Sequence, residues 1–364
     1  MTTPSTVLVV VHEGRRSGPP IYALHLVTWL AEHTDLALEV LLLEPGPLAE
    51  DFASVCPTVV ADPDDLDGLR RMLEAPDLVY LNTAITVRAL RRSHARPRRV
   101  LSHVHELDIG LRHYLAAEDH DHLLAVSDRI LVGPDVARDL LVEGHGVARD
   151  LIGQVPYFVP PHGDLPTRSP ATRAELGIPV EAFVVGACGT RDWRKAPDLF
   201  VHLARELDRR GGLPPLHFVW LGSAIPSEPH WDQEFDLAQV PLRSRLDILE
   251  HQAVPERWMA EYDVFALTSR EDCFPLVCLA AAELGTPVVC FDTGGIPELL
   301  ARCDGGRVVP YPDVVAMADE IAALALDRPA GEAMGARARD HVLTHHQLQH
   351  TGPAVAAELA AILG

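Results

Sequence analysis

The stretch Ser269-Arg-Glu-Asp-Cys-Phe-Pro-Leu-Val-Cys-Leu-Ala-Ala-Ala-Glu283 and its continuation, Leu284-Gly-Thr-Pro-Val-Val-Cys-Phe-Asp-Thr-Gly-Gly-Ile-Pro-Glu298, decide the fold. An apolar run, Val264–Thr268, precedes them. The order reads as strand, acidic loop, helix, strand and Gly-Gly turn. Pro275 at the first helical position suits a helix start, because the missing N–H has no partner there anyway. The N–H groups of Leu276 and Val277 then stand free to meet a phosphate. Asp272 lies just ahead, where a carboxylate can accept sugar hydroxyls. By itself this is also what an ordinary βαβ unit with a helix cap looks like.

The same alternation runs outward in both directions. Thr6–Val11 is apolar throughout, as a strand covered on both faces should be. Further strands are expected at Leu36–Leu43, Thr58–Ala61, Leu78–Asn82, Val100–His105 and Leu123–Val126. Val155–Asp164, rich in turn residues, reads as a last strand plus linker. A second round has strands at Ala182–Cys188, Leu216–Leu221, Val264–Thr268 and Pro287–Phe291. Helices are expected at Ile21–Glu32, Asp135–Gly144 and Pro255–Tyr262, and the tail from Ala330 to Gly364 reads as helical. Repeated βα units imply parallel sheets with right-handed crossovers. The expected fold is α/β, with two Rossmann-like doubly wound domains facing a cleft. The expected division is 1–160, 161–340, and a helical tail 341–364 packing back toward the first domain.

Composition limits the partners. The 364 residues are 48% hydrophobic but only 5% aromatic, so the core must be mostly Ala, Leu and Val. The net charge of −21 disfavours nucleic acid and an anionic membrane surface. No apolar run approaches the ~20 residues of a membrane span. Met1–Ser5 lacks a basic segment, an apolar signal core and a cleavage site, so a cytoplasmic location is expected. Six cysteines without a Cys-x-x-Cys pair read as free thiols. His120-Asp-His122 and His345-His346 lack the further ligands of a metal site.

Other segments carry candidate chemistry. Gly189-Thr-Arg-Asp-Trp-Arg-Lys-Ala196 directly follows a second-half strand. Lys195 offers a point charge, and Arg194 or Arg191 a planar fork, for a diphosphate. In the first half, His12-Glu-Gly-Arg-Arg-Ser-Gly-Pro-Pro20 follows the first strand. Gly18 allows close backbone approach to a ligand there, while Pro19 removes an N–H. Ser102-His-Val-His-Glu-Leu107 closes another strand, and alternation puts His103 and His105 on one side.

Asp272, Phe274, Pro275, Leu276 and Val277, followed by Thr293-Gly-Gly-Ile-Pro-Glu298, resemble the donor-binding signature of family 4 of the retaining glycosyltransferases, which have the GT-B fold. The resemblance is clear over about residues 183–325 and is collinear before that. Gly306-Arg-Val-Val-Pro-Tyr311 and Val314–Met317 also fit it. It implies transfer of a sugar from a GDP- or UDP-linked donor to a small polar acceptor, such as a specialised-metabolite precursor or a thiol. It further implies retention of configuration, with the donor phosphate taking the acceptor's proton. No metal and no cofactor are expected, since no Asp-x-Asp motif is present and the nucleotide sugar is itself the substrate.

The resemblance also assigns roles. Catalytic positions would be His105, Asp272, Lys195 and Arg194. The donor would be held by Gly18, Gly189, Arg191, Arg194, Lys195, Asp272, Cys273, Phe274, Pro275, Leu276 and Val277, with base contacts around His251 and Gln252. His12, Gly18 and His103 would face the acceptor. Tyr157, where many members carry Asn, reads as structural. One departure stands out: the family's ribose-binding Glu falls on Ala280. Glu283, one helical turn on, either replaces it or is surface charge.

Two other functions suit the architecture: a sugar-nucleotide epimerase, and a non-catalytic sugar-nucleotide-binding protein, the latter motivated by Ala280. A dinucleotide oxidoreductase is disfavoured, because no Gly-x-Gly-x-x-Gly follows the first strand. The sequence leaves the oligomeric state open.

Overall fold

The computed structural model describes residues 4–161, 163–224, 242 and 244–364. Met1–Thr3, part of the segment read for a leader, and His162 of the linker lie outside them. The chain forms two compact units, one of residues 1–161 with 346–364 and the other of residues 162–345.

The first unit holds a seven-stranded sheet of order β3-β2-β1-β4-β5-β6-β7, and every neighbouring pair is parallel. Its strands are β1 (Thr6–Val11), β2 (Ala37–Leu42), β3 (Thr58–Val60), β4 (Leu78–Asn82), β5 (Val100–His103), β6 (Arg129–Val132) and β7 (Ile152–Gln154). All five residues of β4 and Val7–Val11 of β1 are buried. Central strands covered on both faces cannot alternate polar with apolar, which is why these runs read as continuous.

The helix Gly18–His33 buries Tyr22, Leu26 and Leu30, with Ala23 and Val27. The i, i+4 spacing lays one stripe on the sheet. Across its other side the C-terminal helix Leu348–Leu363 comes so close that a Cβ on Gly352 would collide with the Trp29 ring. Arg129 grips Glu358 of that helix through two hydrogen bonds, of 2.7 and 2.8 Å.

The second unit holds a six-stranded parallel sheet of order β10-β9-β8-β11-β12-β13. Its strands are β8 (Phe183–Cys188), β9 (Leu216–Leu221), β10 (Arg245–Leu249), β11 (Val264–Leu267), β12 (Val288–Phe291) and β13 (Gly306–Val309). Phe183, Phe200, Phe218 and Trp220 pack in its core with Met317 and Ile321 of the helix Val314–Leu326. Both units are therefore Rossmann-like α/β layers.

Several expectations need correction. Leu123–Val126 is the end of a helix, Ala117–Val126, and the strand comes after it as β6. A run of four apolar residues fits either state, and the helix already in progress decides it. The strand placed at Val155 ends at Gln154. β5 stops at His103, so His105 stands in the loop beyond. The helix expected from Ile21 begins at Gly18, with Pro19 and Pro20 in its first turn, where a missing N–H costs nothing. Pro275 caps its helix instead of opening it, with φ −66° and ψ 118°, and the helix runs Leu276–Glu283.

Candidate functional sites at the two switch points

In an open parallel sheet, ligands bind beyond the carboxyl ends of the strands, where the strand order reverses. That point lies between β1 and β4 in the first unit and between β8 and β11 in the second. Most of the candidate residues stand at these two places.

In the second unit, the loop Gly189–Ala196 leaves β8 and lies against the loop after β11. The Arg270 N–H donates to the Arg194 carbonyl at 2.8 Å, and the Thr268 hydroxyl donates to the Ala196 carbonyl at 3.1 Å. The Arg270 guanidinium holds Asp198 through both its terminal nitrogens. Gly189 has φ +153°, and the Lys195 stem passes over it at 3.1–3.3 Å from where a Cβ would stand. The absence of a side chain there lets Lys195 reach Asp272.

Lys195 Nζ donates to Asp272 Oδ2, and Arg194 lies 3.1 Å from the same oxygen. The Lys195 and Asp272 side chains are each only 11% exposed. Burial pushes the Asp272 carboxyl up, but the Lys195 and Arg194 charges outweigh it and hold the group below the usual carboxylate range. Arg194 also lies 3.9 Å from Asp192, so the centre gathers two cations and two carboxylates in partial shelter from water.

The Gly-Gly turn closes onto the same loop. Gly294 has φ +70°, and any Cβ there would collide with the Asp272 carbonyl oxygen. The Gly295 N–H donates to the Cys273 carbonyl at 2.9 Å. These contacts fix Asp272 and Cys273 just ahead of Pro275. The helix behind offers the N–H groups of Leu276 and Val277 in its first turn, where no intrahelical acceptor exists. Cations and helix N–H groups set around one loop can hold a phosphate or diphosphate. Phe274, half-buried, completes the loop.

Three other sequence candidates have specific surroundings. Arg191 spends its fork within the protein, donating to the Gly222 carbonyl at 3.2 Å and to Glu250 at 2.9 Å. It ties the β8 loop to the loop holding His251 and Gln252. There the His251 N–H donates to Ser223 Oγ at 2.8 Å, and Gln252 accepts from the Trp258 indole at 3.3 Å. Glu283 is not surface charge: it is 4% exposed, and Ala280 is 8% exposed. A carboxylate near a helix C-terminus is buried only when packing demands it, and no signal in the sequence announced this.

In the first unit, the loop after β1 carries His12, Glu13, Arg15 and Arg16. Glu13 is 7% exposed. Its carboxylate accepts from the Ser17 hydroxyl at 2.8 Å and from Arg15, with His12 at 3.4 Å. Burial raises the Glu13 carboxyl, but bonds from His12, Ser17 and Arg15 prevail and bring it down to about 2. Gly18, the first residue of the helix, has open space where a Cβ would be.

His105 follows β5 and is locked at both nitrogens, by the Tyr157 hydroxyl at 2.6 Å and by Asn82 Oδ1 at 3.2 Å. Asn82, at the end of β4, donates its amide to the Pro19 carbonyl at 3.0 Å, so its Oδ1 is the acceptor. His105 then donates from Nε2 and accepts at Nδ1. Burial, with the neighbouring His103 and His12, pushes the His105 imidazole well below its ordinary value, so it is neutral. His103 lies inward of it, fully buried, with ring centroids 4.2 Å apart and Nδ1 2.6 Å from the Tyr80 hydroxyl. Its pKa is pushed down to about 3 by burial.

Sequence reasoning missed Asn82, Glu13 and the positioning part of Tyr157. Asn82 had a signal, as the polar residue ending an otherwise apolar strand.

Residues 182–327 match the family Glycosyl transferases group 1. The chain is 31% identical over 228 residues to the D-inositol 3-phosphate glycosyltransferase of Saccharomonospora viridis, covering 61% of this chain and 53% of that protein. It is 32% identical over 228 residues to the enzyme of that name from Nocardia farcinica, covering 60% and 49%. The chain thus spans about half the length of the curated relatives it matches. Its fold is that of Anabaena HepE in complex with UDP and glucose, with a TM-score of 0.81 at 17% identity over 98% of this chain and 100% of that one. It is also that of sucrose-phosphate synthase from Thermosynechococcus elongatus, with a TM-score of 0.77 at 16% identity over 98% of each. Among the described residues, no helix is long and apolar enough to cross a membrane. The match to the group 1 glycosyl transferases thus lies in the second unit, and with a parallel-sheet Rossmann-like layer in each unit the chain has the GT-B fold.

Proposed function

We propose that this chain transfers a sugar from a UDP- or GDP-linked donor to a small polar acceptor, with retention at the anomeric carbon and without a metal ion. The observation that carries the reading is the meeting of Lys195 and Arg194 on buried Asp272, beside the first turn of the helix Leu276–Glu283. Lys195 and Arg194 stand together at the strand end, where a donor diphosphate can draw them from Asp272 and Asp192. Fixed charges of this kind stabilise a leaving diphosphate without reorganising as the bond breaks. Asp272 is held by both cations, so it orients sugar hydroxyls and does not attack. The leaving phosphate oxygen takes the acceptor's proton. The HepE complexes with UDP-glucose and with UDP and glucose support a UDP-linked donor. The names of the relatives support a small polar acceptor.

Thermal unfolding with UDP, GDP, ADP and NAD, each with and without magnesium, tests this. A nucleotide at 100 times its Kd should add ~2.7 kcal/mol of stability. We expect one nucleoside diphosphate to shift the Tm with or without magnesium, and Lys195→Ala to abolish the shift. Stabilisation by NAD alone, or by no nucleoside diphosphate, would overturn the proposal. A second reading rests on Ala280: a chain that binds the nucleotide sugar without turning it over. Binding with no release of nucleoside diphosphate from any nucleotide sugar would favour it.

A further inference from the structure

We infer that Asp272 makes the second unit prefer an intact nucleotide sugar to the bare nucleoside diphosphate, by opposing a diphosphate whose sugar does not engage it. The inference rests on the donor reading above and adds the selectivity of that same site.

Positive charge is scarce at this centre and already shared. Lys195 is the only lysine among the 31 basic residues of the chain. Its ammonium is a compact charge on a flexible stem, which suits a phosphate oxygen. Lys195 Nζ donates to Asp272 Oδ2, and Arg194 lies 3.1 Å from the same oxygen. Arg194 also stands 3.9 Å from Asp192. Two cations and two carboxylates bring the side chains of the centre to electrical balance before any ligand charge is added.

The two carboxylates depend on those cations unequally. Asp192 also accepts from the Lys195 main-chain N–H at 2.7 Å. Among the described residues, the Asp272 carboxylate pairs with Lys195 and Arg194 and with no other group. A diphosphate that takes up these cations brings its own negative charge against that carboxylate. Like charges sheltered from water repel strongly, and a sheltered carboxylate stripped of its cations is costly.

Asp272 is held where this conflict arises. A Cβ on Gly294 would collide with the Asp272 carbonyl oxygen, and the Gly295 N–H donates to the Cys273 carbonyl at 2.9 Å. On the other side, the Arg270 N–H donates to the Arg194 carbonyl at 2.8 Å, and the Thr293 hydroxyl to the Ser269 carbonyl at 3.3 Å. The loop is tied down before and after Asp272. With 11% of its side chain exposed, water replaces little of what the cations supplied. New donors must come from the ligand. A sugar on the diphosphate carries hydroxyls, and a carboxylate can accept several of them. A bare nucleoside diphosphate has none at that end. A group that penalises the wrong ligand is an effective source of selectivity. Here it also favours release of the nucleoside diphosphate once the sugar has gone.

Calorimetric titration of the full chain without acceptor tests this. The probes are UDP and GDP, and the glucose, galactose, mannose and N-acetylglucosamine conjugates of each. For the base that binds, at least one conjugate should bind more tightly than its bare nucleoside diphosphate. A bare diphosphate bound as tightly as or more tightly than every conjugate would overturn the inference, and this comparison needs no variant. Asp272→Asn keeps the shape and removes the charge. It should bind the bare diphosphate at least ~3-fold more tightly than the wild type does. The preferred conjugate should gain less, so that the gap between the two closes. Unchanged or weaker binding of the bare diphosphate, in a variant that still unfolds cooperatively, would also overturn the inference. A chain that binds neither class of ligand fails the donor reading itself, and the selectivity falls with it.

Discussion

The two units repeat one design and equip it differently. In each, a loop leaves the strand at the switch point and stands beside the strand next to it. In the second unit that loop brings Lys195 and Arg194 onto one buried carboxylate, and the neighbouring helix starts with open N–H groups. In the first unit Arg15 pairs with Glu13 of the same loop and Arg16 with Asp51 of the helix Leu48–Ala53, and the helix Gly18–His33 has two prolines in its first turn. Topology decides where a ligand can sit; the loop residues decide what charge it can carry.

The glycines sharpen this difference most strongly. Gly294 stands at φ +70°, against the Asp272 carbonyl. Gly294→Ala would strain the backbone and push away the loop that carries Asp272, at a cost of roughly 2–4 kcal/mol. Urea denaturation of the second unit would register it, and a loss under about 0.5 kcal/mol would show that the turn does not hold the loop.

The acid response of the first unit should come next in size. Glu13 titrates at about 2 in the folded chain, below its ordinary 4.5. A lowered carboxyl stabilises the fold above the unfolded value, and that stability is lost as pH falls from about 4.5 towards 2. Glu13→Gln should therefore cost roughly 1–3 kcal/mol at pH 7 and almost nothing near pH 2. Unfolding curves of the two proteins that stay parallel across this window would contradict the role given to the carboxylate.

Gly18 should give the smallest effect. It has ordinary φ and open space around it, so Gly18→Ala should change stability by less than ~0.5 kcal/mol. Reduced turnover at unchanged stability would then show that a ligand uses this space. A large loss of stability would break the contrast with Gly294.

Legibility followed burial and length. β1, β4, β8 and β9 were readable because long apolar runs admit one interpretation. β6, β10 and β13 were missed as strands. They have four or five residues and open with Arg129, Arg245 and Gly306, so their pattern is weak outside the sheet that pairs them. In the second unit, Lys195, Arg194 and Asp272 were legible because residue type and strand position both pointed to charge at a loop. The pairing of Arg191 was not legible, because its partners, Gly222 and Glu250, lie in distant loops.

The sequence alone determined the alternation of strands and helices, the two parallel sheets and the basic loop that follows β8. Each of these is set by local pattern or by residue type next to a strand end. Only the tertiary structure decided which charges remain available. It turned Arg191, Arg15 and Arg16 into internal partners, buried Glu283, locked His105 between Tyr157 and Asn82, and left Lys195 and Arg194 together on Asp272. Pairing depends on side chains brought together from distant parts of the chain, and no local spacing encodes it.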